Sequence, residues 1–437
     1  MAVDHAALSQ TLQQLDVPEE FNCYETTDDA QLIVRLEAWK QKACTVLAEL
    51  RETLRERDTL TSNEQAEIVA RLAQFECEAP WVLDASRKLA QEILEPYADV
   101  ETQLIETILT NYVKAVFKLS SHPKVSQATG RALDRVLGGE AGAHDYYEGQ
   151  VWKRHPGLIN VLDWCIRHLK TTAFEKLWPL VVPPVMTLLD DYEVKYKLLG
   201  IPVVDHLLDN APGELLRRTG INGLLLTSFK TGLTFLRSPE TPCLIRGIAR
   251  TWLKLTERTT LPESAERFEQ LWALLGEGII ETVWVYGFDA PDSIQASIEV
   301  LPDVVRALGL GATRYLKALV LQLVHPLIPG PENPATIAFQ IASLRALDVV
   351  IAECAPRMPK WKGTILDAVC RCWVNLVESR ADNTDARELK AALRGTCGSL
   401  ARLCPSVTKE EFRHLLEMDG QIFKDLVTPY ACSSDNR

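Results

Sequence analysis

Leu177-Trp-Pro-Leu-Val-Val-Pro-Pro-Val-Met-Thr-Leu-Leu-Asp-Asp-Tyr-Glu-Val-Lys-Tyr-Lys-Leu-Leu-Gly-Ile-Pro-Val-Val-Asp-His-Leu-Leu208 is the stretch on which the fold turns. Val185, Leu188 and Leu189 share one helical face and stop at Asp190-Asp191; Glu193, Val194 and Lys195 then open a second segment whose Leu198, Ile201, Val204 and Leu208 again recur at three or four residues. Side chains so spaced form one apolar stripe on a helix, and such a stripe must be covered. Two stripes joined by a short acidic turn read as an antiparallel helical hairpin. The turn has its own chemistry: Asp190 or Asp191 can accept from the free amides that start the second helix, and Lys195 or Lys197 can pair with acids of a neighbouring hairpin. Pro202 falls inside the second helix, where it removes a backbone hydrogen bond and crowds the carbonyl of Leu198, so a kink is predicted there.

Outward from this hairpin the same grammar continues. Helical stretches of about 12 to 20 residues alternate with short breaks. The breaks fall at 154–157, 190–191, 210–213, 238–242, 259–262, 287–291, 326–334, 356–359 and 380–385, and each carries Pro, Gly or Asp. No run of period-two alternation reads as a strand. The fold class expected is all-α: a HEAT/armadillo-like α-solenoid of stacked antiparallel helical hairpins. From Gln150 to Arg437 there is room for roughly six or seven units of about 40 residues.

Ahead of the hairpins the pattern is looser. The chain through about Thr27 reads as a partly flexible acidic lead-in, with Glu19, Glu20, Glu25, Asp28 and Asp29 and no Lys or Arg before Arg35. Leu32, Leu36, Trp39, Ala43, Val46 and Leu50 form one seam, which the chain's own next helices cover more simply than a coiled-coil partner does. Leu104, Ile105, Ile108, Leu109, Tyr112, Val113, Val116 and Phe117 make a wide apolar face. Gly138-Gly139, Gly142 and residues 144–149 break this periodicity, so the expected division is an N-terminal helical region, 1–145, and a HEAT-like repeat region, 146–437.

Composition narrows the function. The chain has 437 residues, 47% hydrophobic and 24% charged, as ordinary globular proteins do. Its formal charge of -12, from 59 acidic and 47 basic residues, opposes binding to a phosphate backbone, and the basic pairs Lys153-Arg154 and Arg217-Arg218 stand alone. No nucleic-acid partner is expected. Eleven cysteines without regular spacing suit free or buried thiols in a reducing compartment, which points to the cytoplasm and nucleus. The first ten residues lack the basic and apolar blocks of a secretory signal. The apolar run 177–189 carries three prolines and is short of the roughly 20 residues that span a bilayer, so no membrane partner is expected either.

The hairpin also carries a resemblance. With His155-Pro156-Gly157 and Asp163-Trp164 before it, and Asp209-Asn210-Ala211-Pro212 through Arg218-Thr219-Gly220 after it, the segment 152–236 resembles the Tel-two-interacting-protein-two family, helical-repeat subunits of the Triple-T complex. Its most particular part is Pro-Pro-x-x-x-Leu-Leu-Asp-Asp-Tyr at Pro183 to Tyr192, followed by Lys197 and Gly200; residues 1–149 add little. The resemblance implies a non-catalytic adaptor that binds a larger helical-repeat subunit, a Tel-two-interacting-protein-one homologue. With a Tel-two homologue, it would support the maturation and stability of phosphatidylinositol-3-kinase-related kinases, joined indirectly to the Hsp-ninety chaperone system. The tail Cys432-Ser433-Ser434-Asp435 is a poor match for the phosphorylated acidic segment that a co-chaperone reads on Tel-two, so this chain is not expected to be that hook.

Catalytic signals are weak beside this. The phosphate-loop, dinucleotide, zinc-helix, nucleophile-elbow and kinase motifs do not occur, and no cofactor or metal is expected. Cys370 and Cys372, and Cys165 with His168, have too few companions for a tetrahedral metal site. Cys397 with His414 can be read as nucleophile and base, and Glu277 with Glu281 as paired carboxylates; buried thiol and solvated acids are the simpler readings. Trp284, Tyr286 and Phe288 stand together beside Asp289-Ala290-Pro291 and, if exposed, form the kind of aromatic cluster that anchors interfaces; burial between repeats is the commoner fate. The proline-rich loop 326–334 is a rigid connector or a docking tip. Two other readings stay open: a different HEAT scaffold, such as a transport or phosphatase adaptor, and an uncharacterised helical enzyme.

Overall fold

The computed structural model describes residues 2–57, 59–120, 122–134, 150–328, 330, 335–380 and 383–431. Among these residues there is no strand, only isolated bridging such as Val125 with Ala132, so the protein is all-α as its periodicity requires. Contacts divide the chain into two compact units, Met1–Ser228 and Phe229–Arg437.

In the first unit the deciding hairpin forms as read. Helices Phe174–Leu189 and Val194–Asn210 pack on each other, and the second also packs on Leu158–His168. Val181, Val182, Val185 and Leu188 from one helix and Val203, Val204, Leu207 and Leu208 from the other are buried. Each such side chain contributes roughly 1.5–3 kcal/mol on full burial, enough to hold helices that carry Pro179, Pro183, Pro184 and Pro202 inside them. Pro202 is accommodated without a break between Val194 and Asn210. Gly200 sets the spacing. A Cβ there would stand 3.1 Å from Leu188 Cβ and 3.3 Å from Leu189 Cδ2, so its lone hydrogen lets the hairpin close.

The N-terminal seam is covered from within. Helix Ala30–Arg55 buries Leu36, Ala43, Val46 and Leu50 and packs on Asp84–Leu94, while Trp39 meets Phe21 edge-on at 5.4 Å and stacks on Phe75 at 6.3 Å. Helix Thr102–Ile108 continues through a π-helical stretch, Leu109–Lys114, to Phe117, with Ile105, Ile108, Leu109, Val113 and Phe117 buried.

The expected 145/146 division lies outside the described residues, and the helices on its two sides share one unit. Phe117 stacks on Trp152 at 5.5 Å, and Arg167 reaches Glu76 at 3.2 Å. The units divide instead at Ser228/Phe229, within helix Ile221–Gly232. A glycine-rich gap interrupts periodicity, but a unit is bounded by which stripes bury on each other, and that is not a local property.

The second unit is a succession of helices taken two by two along the chain: Thr241–Thr259 with Ala265–Ala273 and its π-helical continuation Leu274–Trp284, Pro291–Leu308 with Leu316–Val324, Ile337–Glu353 with Lys362–Glu378, and Thr384–Leu403 with Glu411–Ala431, the last kinked at Asp419. The first helices of successive pairs lie side by side in one layer. Leu316–Val324 packs on Lys362–Glu378, and that helix on Glu411–Ala431, in the other. First helices begin roughly 46 to 50 residues apart, somewhat longer than the expected unit and at the upper end of HEAT and armadillo lengths. The segment Pro291–Leu327 is long and apolar enough to pass for a membrane span. Its apolar stripe is used inside the unit, where Leu301, Val304, Val305, Leu319, Val320 and Leu323 are solvent-free, and it is broken at Gly309–Tyr315.

Candidate functional site

The acidic turn after Leu189 is a charged joint. Asp191 is fully buried, and its Oδ1 accepts from the Glu193 amide at 2.8 Å, meeting one of the free N–H groups at the start of Val194–Asn210. The cation that answers it comes from elsewhere. Lys153, on the short 3-10 turn Val151–Arg154, places its ammonium 2.9 Å from Asp191 Oδ2 and 2.8 Å from Glu193 Oε1. The same ammonium lies over the rings of Tyr192 at 4.2 Å, Tyr196 at 4.6 Å and Trp152 at 5.7 Å. Burial works against its charge, but the bonds to Glu193 and Asp191 outweigh it and raise its pKa, so Lys153 remains an ammonium and is no nucleophile. Burial raises the pKa of Asp191 despite the Glu193 amide and Lys153.

Asp190 looks the other way. Lys124 N–H donates to His122 Nδ1 at 3.2 Å, which leaves Nε2 to carry the hydrogen donated to Asp190 Oδ2 at 2.9 Å. Burial would lift the Asp190 pKa, yet His122, Ser228 and Lys197 together hold it below the usual carboxylate value. Lys195 and Lys197 differ from expectation. Lys195 pairs with Glu193 at 3.1 Å inside its own turn, and buried Lys197 donates to the Leu189 carbonyl at 2.7 Å, its pKa lowered by burial. A helical side chain leans toward the N-terminus of its helix, so Lys197 folds back over the end of the preceding helix. The link between elements is made by Lys153 and His122, which had no periodic or motif signal in the sequence.

The aromatic cluster is built differently. The π-helical stretch ends at Trp284, which is half-buried and donates from Nε1 to Ser297 Oγ at 2.9 Å. The chain then turns outward: Val285, Tyr286 and Phe288 are 56%, 67% and 80% exposed. Gly287 makes the turn possible, since a Cβ there would stand 2.5 Å from the Val283 carbonyl oxygen to which its own N–H donates. Burial between repeats, the commoner fate, therefore holds for Trp284 only in part and not for its neighbours.

The residues that could be read as catalytic are placed otherwise. Cys397 is solvent-free in Thr384–Leu403 and burial drives its pKa up, while His414 is exposed on Glu411–Ala431. A thiol held protonated is a poor nucleophile. Cys370 and Cys372 are pushed up to about 12 by burial, and two residues apart on one helix they point to different sides. His168 stacks on Trp164 at 4.1 Å and its Nδ1 meets the Trp164 carbonyl at 2.8 Å, a structural use of the ring. Glu277 pairs with Lys230 at 2.5 Å and Glu281 is exposed. Tail residues 432–435 and most of the 329–334 stretch lie outside the described residues.

Comparison with known proteins adds relatives to this geometry. A model of the Tti2 family matches residues 68–335. TELO2-interacting protein 2 of Homo sapiens is 26% identical over 135 residues, 31% of this chain and 24% of that protein, and its Rattus norvegicus counterpart is 25% identical over 63 residues, 14% and 12%. The chain thus spans about a quarter or less of the relatives it matches. Among solved structures, a chain from a complex of Kap95p with RanGDP superposes with a TM-score of 0.54 at 13% identity, covering 97% of this chain and 45% of that one. At that identity the likeness concerns the helical-repeat fold alone.

Proposed function

Because this chain belongs to the Tti2 family, we propose that it is a non-catalytic adaptor subunit of a Triple-T-like co-chaperone complex. In this reading it holds a larger helical-repeat subunit, a Tel-two-interacting-protein-one homologue, and with a Tel-two homologue supports maturation and stability of phosphatidylinositol-3-kinase-related kinases in the cytoplasm and nucleus. The observation that carries the reading is the family match over 68–335, which takes in both the charged joint and the exposed aromatics. The physical setting agrees with it: stacked helical hairpins offer long continuous surfaces for another protein, and the aromatics of Tyr286 and Phe288 are the residue types that anchor interfaces.

The test is affinity purification of the full chain from its source cells under conditions that preserve large complexes. Recovery of a Tel-two-interacting-protein-one homologue in stoichiometric amount is the expected result. Its absence, with some other HEAT-binding partner in its place, would favour the transport or phosphatase scaffold instead.

A further inference from the structure

Beside the exposed aromatics lies a cavity of about 530 Å³ whose chemistry is specific. Its lining includes the aromatic rings of Trp284, Phe288 and Phe339, the Gln295 amide, the His325 imidazole and the carboxylates of Asp289 and Asp292. We propose that this cavity is a docking pocket for an arginine side chain presented by a protein partner. The proposal deepens the adaptor reading and rests on it for the partner's identity, but the pocket's preference for a cation follows from its own residues.

Aromatic faces attract a cation through their negative quadrupole, and a planar guanidinium stacks on them better than an ammonium does. Carboxylates at the edge then meet its N–H groups. Asp292 is exposed at the first turn of Pro291–Leu308 and has no ion-pair partner among the described residues; its charge also suits the helix start, which accounts for its presence there but not for the aromatic walls around it. Asp289 draws the chain's own Arg237, at 3.6 Å, but that side chain is 85% exposed and therefore loosely held. Val285 and Tyr286, exposed and next in sequence to the lining residue Trp284, would let a covering partner exclude water around the inserted guanidinium and strengthen its charge pairing. An overall charge of -12 favours a basic partner surface during encounter.

Two arms test this on the full chain. In the first, N-acetyl-arginine amide is titrated and the indole N–H resonance of Trp284, assigned with Trp284→Phe, is followed by NMR; N-acetyl-citrulline amide has nearly the same shape without the charge. The expected result is a saturable shift with the arginine ligand, at least fivefold smaller with citrulline, and lost in the Asp289→Asn/Asp292→Asn variant. Equal shifts from the two ligands, or a shift indifferent to the variant, overturn the pocket. In the second arm the same variant is assayed against the co-purified larger subunit, and an affinity about tenfold weaker with a flatter salt dependence is expected; an unchanged affinity overturns the docking role. If no larger subunit is captured at all, the adaptor reading fails, and the arginine titration still decides the pocket. Both aspartates are on the surface, so an unchanged melting curve separates lost docking from lost folding.

Discussion

The turn at Asp190–Lys197 and the ridge at Trp284–Phe288 make opposite use of their side chains. In the first, charged groups face inward: Asp191 is fully buried and Lys153 crosses from another element to meet it. In the second, large apolar groups face outward, with Phe288 80% exposed. Charge on a surface protein is usually solvated and aromatic bulk usually hidden, so each region reverses the ordinary preference. The reversal has a different cause in each. An inward ion pair ties elements of one unit together, whereas an outward aromatic group contributes less to the free chain than a buried one and is of the kind that a covering protein uses.

The largest effect expected from breaking this contrast is at Lys153. Lys153→Ala strands two carboxylates, one of them fully buried, and should destabilise the first unit by about 3–5 kcal/mol; urea unfolding of the full chain measures it, and a loss under about 1 kcal/mol would show that the joint is ornamental. Tyr286→Ala/Phe288→Ala should do the reverse. It should leave the thermal midpoint unchanged and, under the proposed adaptor role, weaken capture of the larger subunit roughly ten- to a hundredfold, or about 1.4–2.8 kcal/mol; calorimetry and a binding titration of the same preparation separate the two.

Asp348 sharpens the contrast from within the second unit. It is an inward carboxylate without a Lys153 of its own: burial raises its pKa to about 6, against the opposing influence of the Thr396 hydroxyl and the charge of Arg402. Because the folded value lies above the ordinary one, the folded chain holds this proton to higher pH than the unfolded chain does, and ionising it costs folding free energy. Stability should therefore fall as pH rises from about 4 to about 6 and stay level beyond. Asp348→Asn should stabilise the protein by about 1–2 kcal/mol at pH 7 and by nothing near pH 4; melting at the two pH values is the check, and an equal gain at both refutes the assignment. The smallest effect belongs to Lys195, whose pairing with Glu193 is part-exposed and local: Lys195→Ala should cost under about 0.5 kcal/mol by the same urea assay.

Much of this architecture was legible before any coordinates. Breaks at 190–191, 210–213, 259–262 and 287–291 coincide with helix ends because Pro, Gly and Asp act on their own few residues of backbone. That an acid of the turn meets a free amide ahead of the second helix was legible for the same reason, since Asp191 and Glu193 are two residues apart. Lys153 was not, because it stands 38 residues before Asp191 and nothing in the spacing marks the approach. The two π-helical stretches also escaped, as an added residue per turn changes register without changing composition.

By itself, the sequence determined the all-helical class, the pairing of helices across acidic and proline-bearing turns, and the need for each apolar stripe to be covered, all of which follow from a 3.6-residue period written in neighbouring residues. Only the tertiary structure decided which stripe covers which, where one compact unit gives way to the next, that the turn's buried acid is answered by Lys153, and that Tyr286 and Phe288 are left to solvent. Those outcomes depend on distances between residues far apart in the chain, and burial and charge pairing are properties of that arrangement and not of any residue alone.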